Sequence, residues 1–388
     1  MSERQIYLKS ARRTAFGRFG GGFRDQPVTD LAVPVVKDVI ARSGLAAEDV
    51  DHLVFGNVIA TTSEAPWAAR ITALGAGIPD SVRTVNVNRA CGTGVQAVIT
   101  AAEQIGLGRS EVAVAAGAEA FSMAPSVLWT RWGNKRGVPK IEDMLEWAYT
   151  DPWGNVMGVT GENLAGLGGI GRDEQDEYAL RSQTRAEAAR AAGYLAEEIH
   201  EVGGVAVDEF PRPQVTLSDL QKLRPAFAED GSVTAGNSSG VNDGAGAVMV
   251  ISEEAVERHG VAPDGRIVDW AVVGVEAGLM GRGPVPATQA VLARTGLSVG
   301  DLDVCEVNEA FAVVVLYAMA QLKLDPELTN PNGGAISIGH PPGATGIRMI
   351  ASALNQLART GGRYGLVSLC LGGGMGLSMI VENLRNRS

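Results

Sequence analysis

Ala41-Arg42-Ser43-Gly44-Leu45, with Asp49 and Asp51 behind it, returns as Ala293-Arg294-Thr295-Gly296-Leu297, with Asp301 and Asp303 behind it. The offset is 252 throughout (293 − 41 = 252), and six positions in an eleven-residue window are identical. Carried onward without a gap, the same offset lays Gly94 on Gly346 and the strand pattern Glu111–Gly117 on Arg363–Leu369. Each copy reads as helix, turn, strand, glycine-bearing loop, helix, strand. A register held over about 75 residues is duplication rather than chance. It predicts two α/β units whose sheets stack against shared helices.

The stretch between the copies has another character. Residues from about 120 to 240 hold Trp129, Trp132, Trp147 and Trp153, many Gly and Pro, and one strong helical pattern over Arg172–Ala192. This predicts a lid-like insertion into the first half rather than a third sheet, a common place for substrate contacts. The run Gly240–Ile251 then returns to strand. The expected division is 1–119 plus 241–266 for the first half, 120–240 for the loop domain and 267–388 for the second half.

Composition bounds the function. A chain of 388 residues with 50 glycines and few aromatics suits closely packed α/β layers with well-buried cores. A net charge of −11 argues against a nucleic-acid partner, though a local basic patch could still meet a phosphorylated cofactor. Three scattered cysteines fit a reducing compartment, and no pair has the close spacing of a metal site. The first residues lack the apolar core of a signal peptide and read as a strand. Glu3 and that strand weigh against a transit peptide despite Arg12 and Arg13, and no apolar run is long enough to cross a bilayer. The expectation is a soluble cytoplasmic protein.

Chemistry concentrates at two thiols and one imidazole. Cys91 follows the β-branched run Val85–Val87 and precedes Gly92-Thr93-Gly94 and an alanine-rich helix. A thiol at such a junction meets helix N-terminal N–H groups, which favour a thiolate and any oxyanion formed beside it. Cys370 ends the apolar strand Leu366–Leu369 and runs into Gly372-Gly373-Gly374. His340 is one of only four histidines and sits in a Gly- and Pro-dense loop, Gly339-His340-Pro341-Pro342-Gly343, where glycine admits a ligand closely and proline stiffens the ring's setting. His52, His200 and His259 read as structural or surface residues, and Cys305 as strand packing. Asn308 and Glu309 follow a strand and open an apolar helix, where they either cap that helix or serve the site. Gly166-Leu167-Gly168-Gly169-Ile170-Gly171 fits the dinucleotide fingerprint in letters only. It follows a helical pattern instead of a strand and has no acid about 20 residues on, so nucleotide binding is rejected.

With these residues in hand, the chain resembles the thiolase family nearly end to end. The Cys91 block, Gly236-Asn237-Ser238-Ser239-Gly240, Asn308-Glu309-Ala310-Phe311, the His340 loop and Cys370-Leu371-Gly372-Gly373-Gly374-Met375-Gly376 occur in the family's order. The resemblance implies two βαβαβαββ halves in a five-layer α-β-α-β-α arrangement with an inserted loop domain. It implies a homodimer or homotetramer acting on coenzyme A thioesters, with coenzyme A as substrate and product and no resident cofactor or metal. Cys91 would carry the acyl group, His340 would take its proton, and Cys370 would move the proton at the α-carbon. Asn308 would hold a water that, with His340, donates to the enolate oxygen. The N–H groups of Cys91 and Gly372 would form the other oxyanion hole. Ser239, Arg212, Met157, Phe311, Ala310 and Ala235 would contact the acyl-coenzyme A, Arg212 being equally readable as a solvated arginine beside two prolines.

Three departures bear on substrate. Val156 stands where many acetoacetyl-CoA-forming members have His, Pro342 follows His340-Pro341 where Leu is usual, and Cys91-Gly92-Thr93-Gly94 replaces the commoner Cys-Ala/Ser-Ser-Gly. They point away from acetoacetyl-CoA and toward a longer, branched or ring-derived 3-oxoacyl-CoA. A decarboxylative condensing enzyme, which would not need Cys370, and a catalytically silent acyl-CoA-binding subunit are the competing readings.

Overall fold

The computed structural model describes residues 4–130 and 139–385. In chain order the elements that position the site begin with β1 Ile6–Arg13, α1 Val28–Ser43, β2 His52–Gly56, α2 Ala68–Gly75, β3 Arg83–Val87, α3 Thr93–Gly106 and β4 Val112–Ala120. The insertion follows, with β5 Ser126–Trp129, β6 Lys140–Asp143, α4 Met157–Gly168 and α5 Arg172–Ala191. The chain then continues through β7 Asn242–Ser252, β8 Gly265–Gly274, α6 Pro284–Thr295, β9 Leu302–Val307, α7 Ala312–Leu322, α8 Pro342–Thr360, β10 Tyr364–Leu371 and β11 Met375–Asn383.

The duplication is visible in the punctuation. Helices α1 and α6 both end on left-handed glycines, Gly44 (φ 83°) and Gly296 (φ 72°), at the 252-residue offset, where a side chain would strain the backbone. Each is followed by a single 3-10 turn, Ala47–Asp49 or Val299–Asp301, and then a strand.

The first half orders its strands β3-β2-β4-β7-β1 and the second β9-β10-β11-β8. Within the halves, β2 runs parallel to β3 and β4, and β9 to β10, while β7 and β11 are antiparallel to their neighbours. The sequence predicts two separate sheets, yet they meet edge to edge. Tyr7 and Leu8 of β1 pair with Arg266 and Gly265 of β8, so one twisted ladder crosses both halves. That edge pairing satisfies backbone groups that two open sheets would leave bare.

Five layers result. Helices α1 and α2 cover one face of the first half-sheet, α6 and α7 the far face of the second, and α3 and α8 lie between. The middle layer shares one core with both sheets, from Val95, Val98 and Ile105 on α3 to Ile347, Ile350 and Leu357 on α8. Strand β4 is buried along all nine residues and is mostly alanine, as expected of a strand with helices on both faces. The insertion contributes the β5–β6 hairpin and two helices, α4 and α5, that pack on α7 of the second half.

Helices α3 and α8 cross on their equivalent glycines. A Cβ on Gly94 would lie 2.9 Å from the Gly343 carbonyl oxygen, and one on Gly346 would lie 2.5 Å from the Val95 nitrogen. This close crossing brings together the two helix N-termini, and with them the turns that carry Cys91 and His340.

Candidate active site

Cys91 occupies the turn between β3 and α3. Ala90 before it holds a left-handed φ of 45°, which costs a non-glycine residue of order 1–3 kcal/mol. Local bonds hold the turn. Asn88 Oδ1 accepts from Ala90 N at 3.0 Å, and Thr93 Oγ1 accepts from Arg89 N at 2.8 Å while donating to the Ala90 carbonyl at 2.7 Å. Burial raises the Cys91 thiol, opposed by the N–H groups of Gly372 and of Cys91 itself, which point at the sulfur.

His340 precedes α8 and is buried. Its Nδ1 lies 2.8 Å from Thr345 Oγ1, which donates to the Pro341 carbonyl at 2.9 Å. A hydroxyl has one proton, so with that proton on Pro341 it accepts from Nδ1–H, and Nε2 is left as the basic nitrogen. Nε2 faces the Asn308 amide at 3.4 Å. Burial, with the charge of Arg348 adding, lowers the imidazole to about 3 and keeps it neutral. A neutral histidine and a protonated thiol are the forms that an acid–base pair needs before a proton passes between them.

Cys370 ends β10 and is wholly buried in a cluster with Met157, Phe311 and Ala310. Burial pushes its thiol well up and the Cys91 charge pushes further, so the two sulfurs sit within electrostatic reach of each other. Asn308 is fully buried, and among the described residues its Oδ1 has no hydrogen-bond partner. It is no helix cap, since α7 starts at Ala312 with Phe311 as its N-cap residue. Glu309 is structural, its carboxylate accepting from Tyr178, Ser182 and the Ile336 N–H.

A cavity of about 310 Å³ opens above these groups, lined among others by Cys91, Met157, Ser239, Ala310, Phe311, His340 and Gly372. Cys370 and Asn308 lie outside that lining, and so do Arg212 and Ala235. Arg212 stacks on the Phe210 ring at 5.4 Å, and Ala235 is exposed. Val58, Phe121, Ala148, Tyr149, Val156, Phe227 and Met280 complete much of the wall. Apart from Val156 these are residues the motifs do not reveal, because they lie in loops and in helical turns too short to show a periodicity.

Glu119, at the end of β4, is a further residue without a sequence signal. Its buried carboxylate accepts from Asn57 Nδ2 (2.9 Å), Val58 N (3.2 Å), Ile59 N (3.0 Å) and Gly343 N (3.3 Å), which ties the cavity wall to the His340 turn. Burial raises this carboxyl to about 8 despite those donors. The rejected glycine fingerprint begins as the last three residues of α4 and ends as the turn from left-handed Gly169 to Gly171, the N-cap of α5. No group of three or more His, Cys, Asp or Glu residues among the described residues is arranged to hold a metal ion, and no helix among them is long and apolar enough to cross a membrane.

A five-layer duplicated α/β fold with two thiols in electrostatic reach of each other and a neutral histidine at its centre defines a class, and comparison with known proteins bears on which. The thiolase N-terminal domain matches residues 6–254 and the thiolase C-terminal domain residues 261–383, so the chain belongs to the thiolase family. It is 44% identical to a beta-ketothiolase of Cupriavidus necator (98% of this chain, 100% of that one) and 43% identical to an acetyl-CoA acetyltransferase of Shinella zoogloeoides (99% and 100%). Among solved structures, human mitochondrial 3-ketoacyl-CoA thiolase in complex with CoA superposes with a TM-score of 0.96 at 42% identity, covering 98% of each chain.

Proposed function

We propose that this protein is a thiolase-type acyltransferase that cleaves a 3-oxoacyl-CoA with coenzyme A, or runs the reverse Claisen condensation, through an acyl group held on Cys91. The carrying observation is the convergence of Cys91, His340 and Gly372 on one cavity, with the Cys370 sulfur close behind. The relatives' names agree with this activity.

In the cleavage direction His340 Nε2 takes the Cys91 proton and the thiolate attacks the 3-oxo carbon. The resulting oxyanion meets the N–H groups of Cys91 and Gly372, which already point at that sulfur; losing one such donor typically costs roughly 2.7–4 kcal/mol of barrier. The bond between carbons 2 and 3 then breaks, and its electron pair goes into the acetyl-CoA enolate. The enolate oxygen accepts from the newly formed Nε2–H and from a water on Asn308, whose unpartnered Oδ1 is the acceptor such a water needs. Cys370 gives its proton to carbon 2, releasing acetyl-CoA. Coenzyme A, its own thiol proton restoring Cys370, attacks the acyl-Cys91 thioester and leaves as the shortened acyl-CoA, while the Nε2 proton returns to Cys91.

Ser239, Ala310, Phe311 and Met157 serve the acyl and pantetheine part on this reading, with Arg212 and Ala235 nearer the nucleotide end. Residues 120–240 form the substrate-contacting unit between a first half of 1–119 with 241–266 and a second half of 267–388. Self-association to a homodimer or homotetramer is part of the same reading. It is supported by the exposed edge strand β3, with Val85 39% exposed, and by Trp67 nearby at 67%.

Intact-mass measurement after mixing with acetyl-CoA tests the assignment. Wild type and Cys370→Ala should each gain one acetyl group, Cys91→Ala none, and Cys370→Ala should lose carbon–carbon bond cleavage. Undiminished turnover in Cys370→Ala would favour the decarboxylative condensing class instead.

A further inference from the structure

Tyr149 places a phenol in a part of the cavity wall that is otherwise apolar, away from the hydroxyls of Ser238 and Ser239 in the sequence. Val58, Phe121, Ala148, Val156, Met157 and Phe227 line it too, and among the described residues no Lys, Arg, Asp or Glu contributes to the lining. The ring packs on Phe121 with centroids 5.9 Å apart. Among the described residues its hydroxyl has no hydrogen-bond partner.

The segment carrying it is built to stay in place. The Tyr149 carbonyl accepts from Met157 N at 2.8 Å. Between them, the Asp151 carboxylate accepts from Trp153 N (3.0 Å), Asn155 N (2.8 Å) and Asn155 Nδ2 (2.9 Å). One loop therefore fixes both Tyr149 and Met157 against the same cavity.

With no protein partner among the described residues, this hydroxyl keeps water only while the cavity is empty, and an all-carbon acyl chain displacing that water would cost about 1–3 kcal/mol unless a ligand atom replaced it. Phenylalanine would line the same wall without that loss. We propose that Tyr149 is a specificity-determining residue whose hydroxyl donates to a neutral oxygen in the acyl chain. The preferred substrates are then 3-oxoacyl-CoAs that carry an ether, hydroxyl or keto oxygen beyond the 3-oxo group. Among the described residues the lining offers no cation to offset the desolvation of a carboxylate. Burial holds the Tyr149 hydroxyl above its usual range, with the Cys91 and Glu119 charges adding, so it remains a donor at neutral pH. Donation to the substrate rests on the thiolase reading, since the acyl chain enters this cavity only when carried by Cys91.

Paired isosteres test it. Thiolysis of 3-oxooctanoyl-CoA is compared with two analogues in which oxygen replaces carbon 5 or carbon 7, in wild type and Tyr149→Phe. The wild type should favour at least one ether analogue over the all-carbon chain by about tenfold in kcat/KM, the worth of one good hydrogen bond. In Tyr149→Phe that ratio should fall to about one, and because it is a ratio within one enzyme, a general loss of activity does not imitate it. An all-carbon preference in wild type, or an ether preference that survives in Tyr149→Phe, overturns the proposal. Acylation of wild-type Cys91 by acetyl-CoA, read by mass, separates this failure from failure of the thiolase reading.

Discussion

At the scale of single residues, the proposed mechanism starts from groups that burial keeps neutral until substrate arrives. His340 is deep enough that its imidazole lies near about 3, far below an ordinary histidine, and Cys91 is raised by burial. A base with that value stays unprotonated through the whole range in which histidines usually titrate. The rate of Cys91 acylation by acyl-CoA should therefore show no acid limb between pH 5 and 7. Rapid-quench measurement across that range checks this, and a limb centred near 6.5 would contradict it. The same depression has a sign for stability. The unfolded chain binds a proton at His340 below about 6.5 while the folded chain does not, so this residue's contribution is present above that value and is lost as pH falls toward 3. Cys91, His340 and Cys370 were legible in the sequence because reactive side chains stand out against Gly-rich turns. Thr345, which orients the imidazole, was not, since a threonine in a helical pattern carries no mark of what its hydroxyl reaches.

Among elements, α8 is the one on which most depends. Pro342 starts it, Gly361 ends it at φ 73°, and fourteen of its nineteen residues are buried, a density that explains why it must carry its own ion pair inward. Arg348 donates to Glu306 of β9 at 2.9 Å, with the two side chains 1% and 0% exposed. Burial raises Glu306 to about 7, opposed by Arg348. Arg348→Met should leave that carboxyl uncompensated and cost about 3–5 kcal/mol in denaturant unfolding. It should also relieve part of the depression of His340, whose second cause is the Arg348 charge. Such an arginine inside an amphipathic pattern is invisible as a core residue until its partner strand is known. Helix Arg172–Ala192, by contrast, was read to within one residue, because its composition favours helix along its whole length.

For the whole molecule, the decisive contact is the crossing of two equivalent helices. Cys91 and His340 occupy corresponding turns ahead of α3 and α8, since 340 − 252 = 88 falls three residues before Cys91. Duplication alone thus supplies two helix N-termini, and the crossing at Gly94 and Gly346 sets the distance between what they carry. Gly346→Ala puts a Cβ against backbone, which cannot yield as a side chain can, so it should destabilise by about 1–3 kcal/mol and slow Cys91 acylation at least tenfold. Gly106→Ala, at the end of α3 with nothing within 4 Å, should leave stability unchanged or raise it by about 0.4–1 kcal/mol. Thermal unfolding of the pair checks both, and equal effects would remove the crossing from the argument.

From the sequence alone came the duplication, the order of strands and helices within each copy, and the residues able to do thiol and proton chemistry. Those follow from periodicity and from side-chain reactivity, which are properties of positions along a chain. Tertiary structure decided that β1 and β8 join the halves edge to edge, that Glu119 ties the cavity wall to the His340 turn, and that Tyr149 lines the cavity with no partner for its hydroxyl among the described residues. Each depends on groups remote in sequence meeting in a water-poor interior, where a lost or gained hydrogen bond counts most, and no local pattern records which groups will meet.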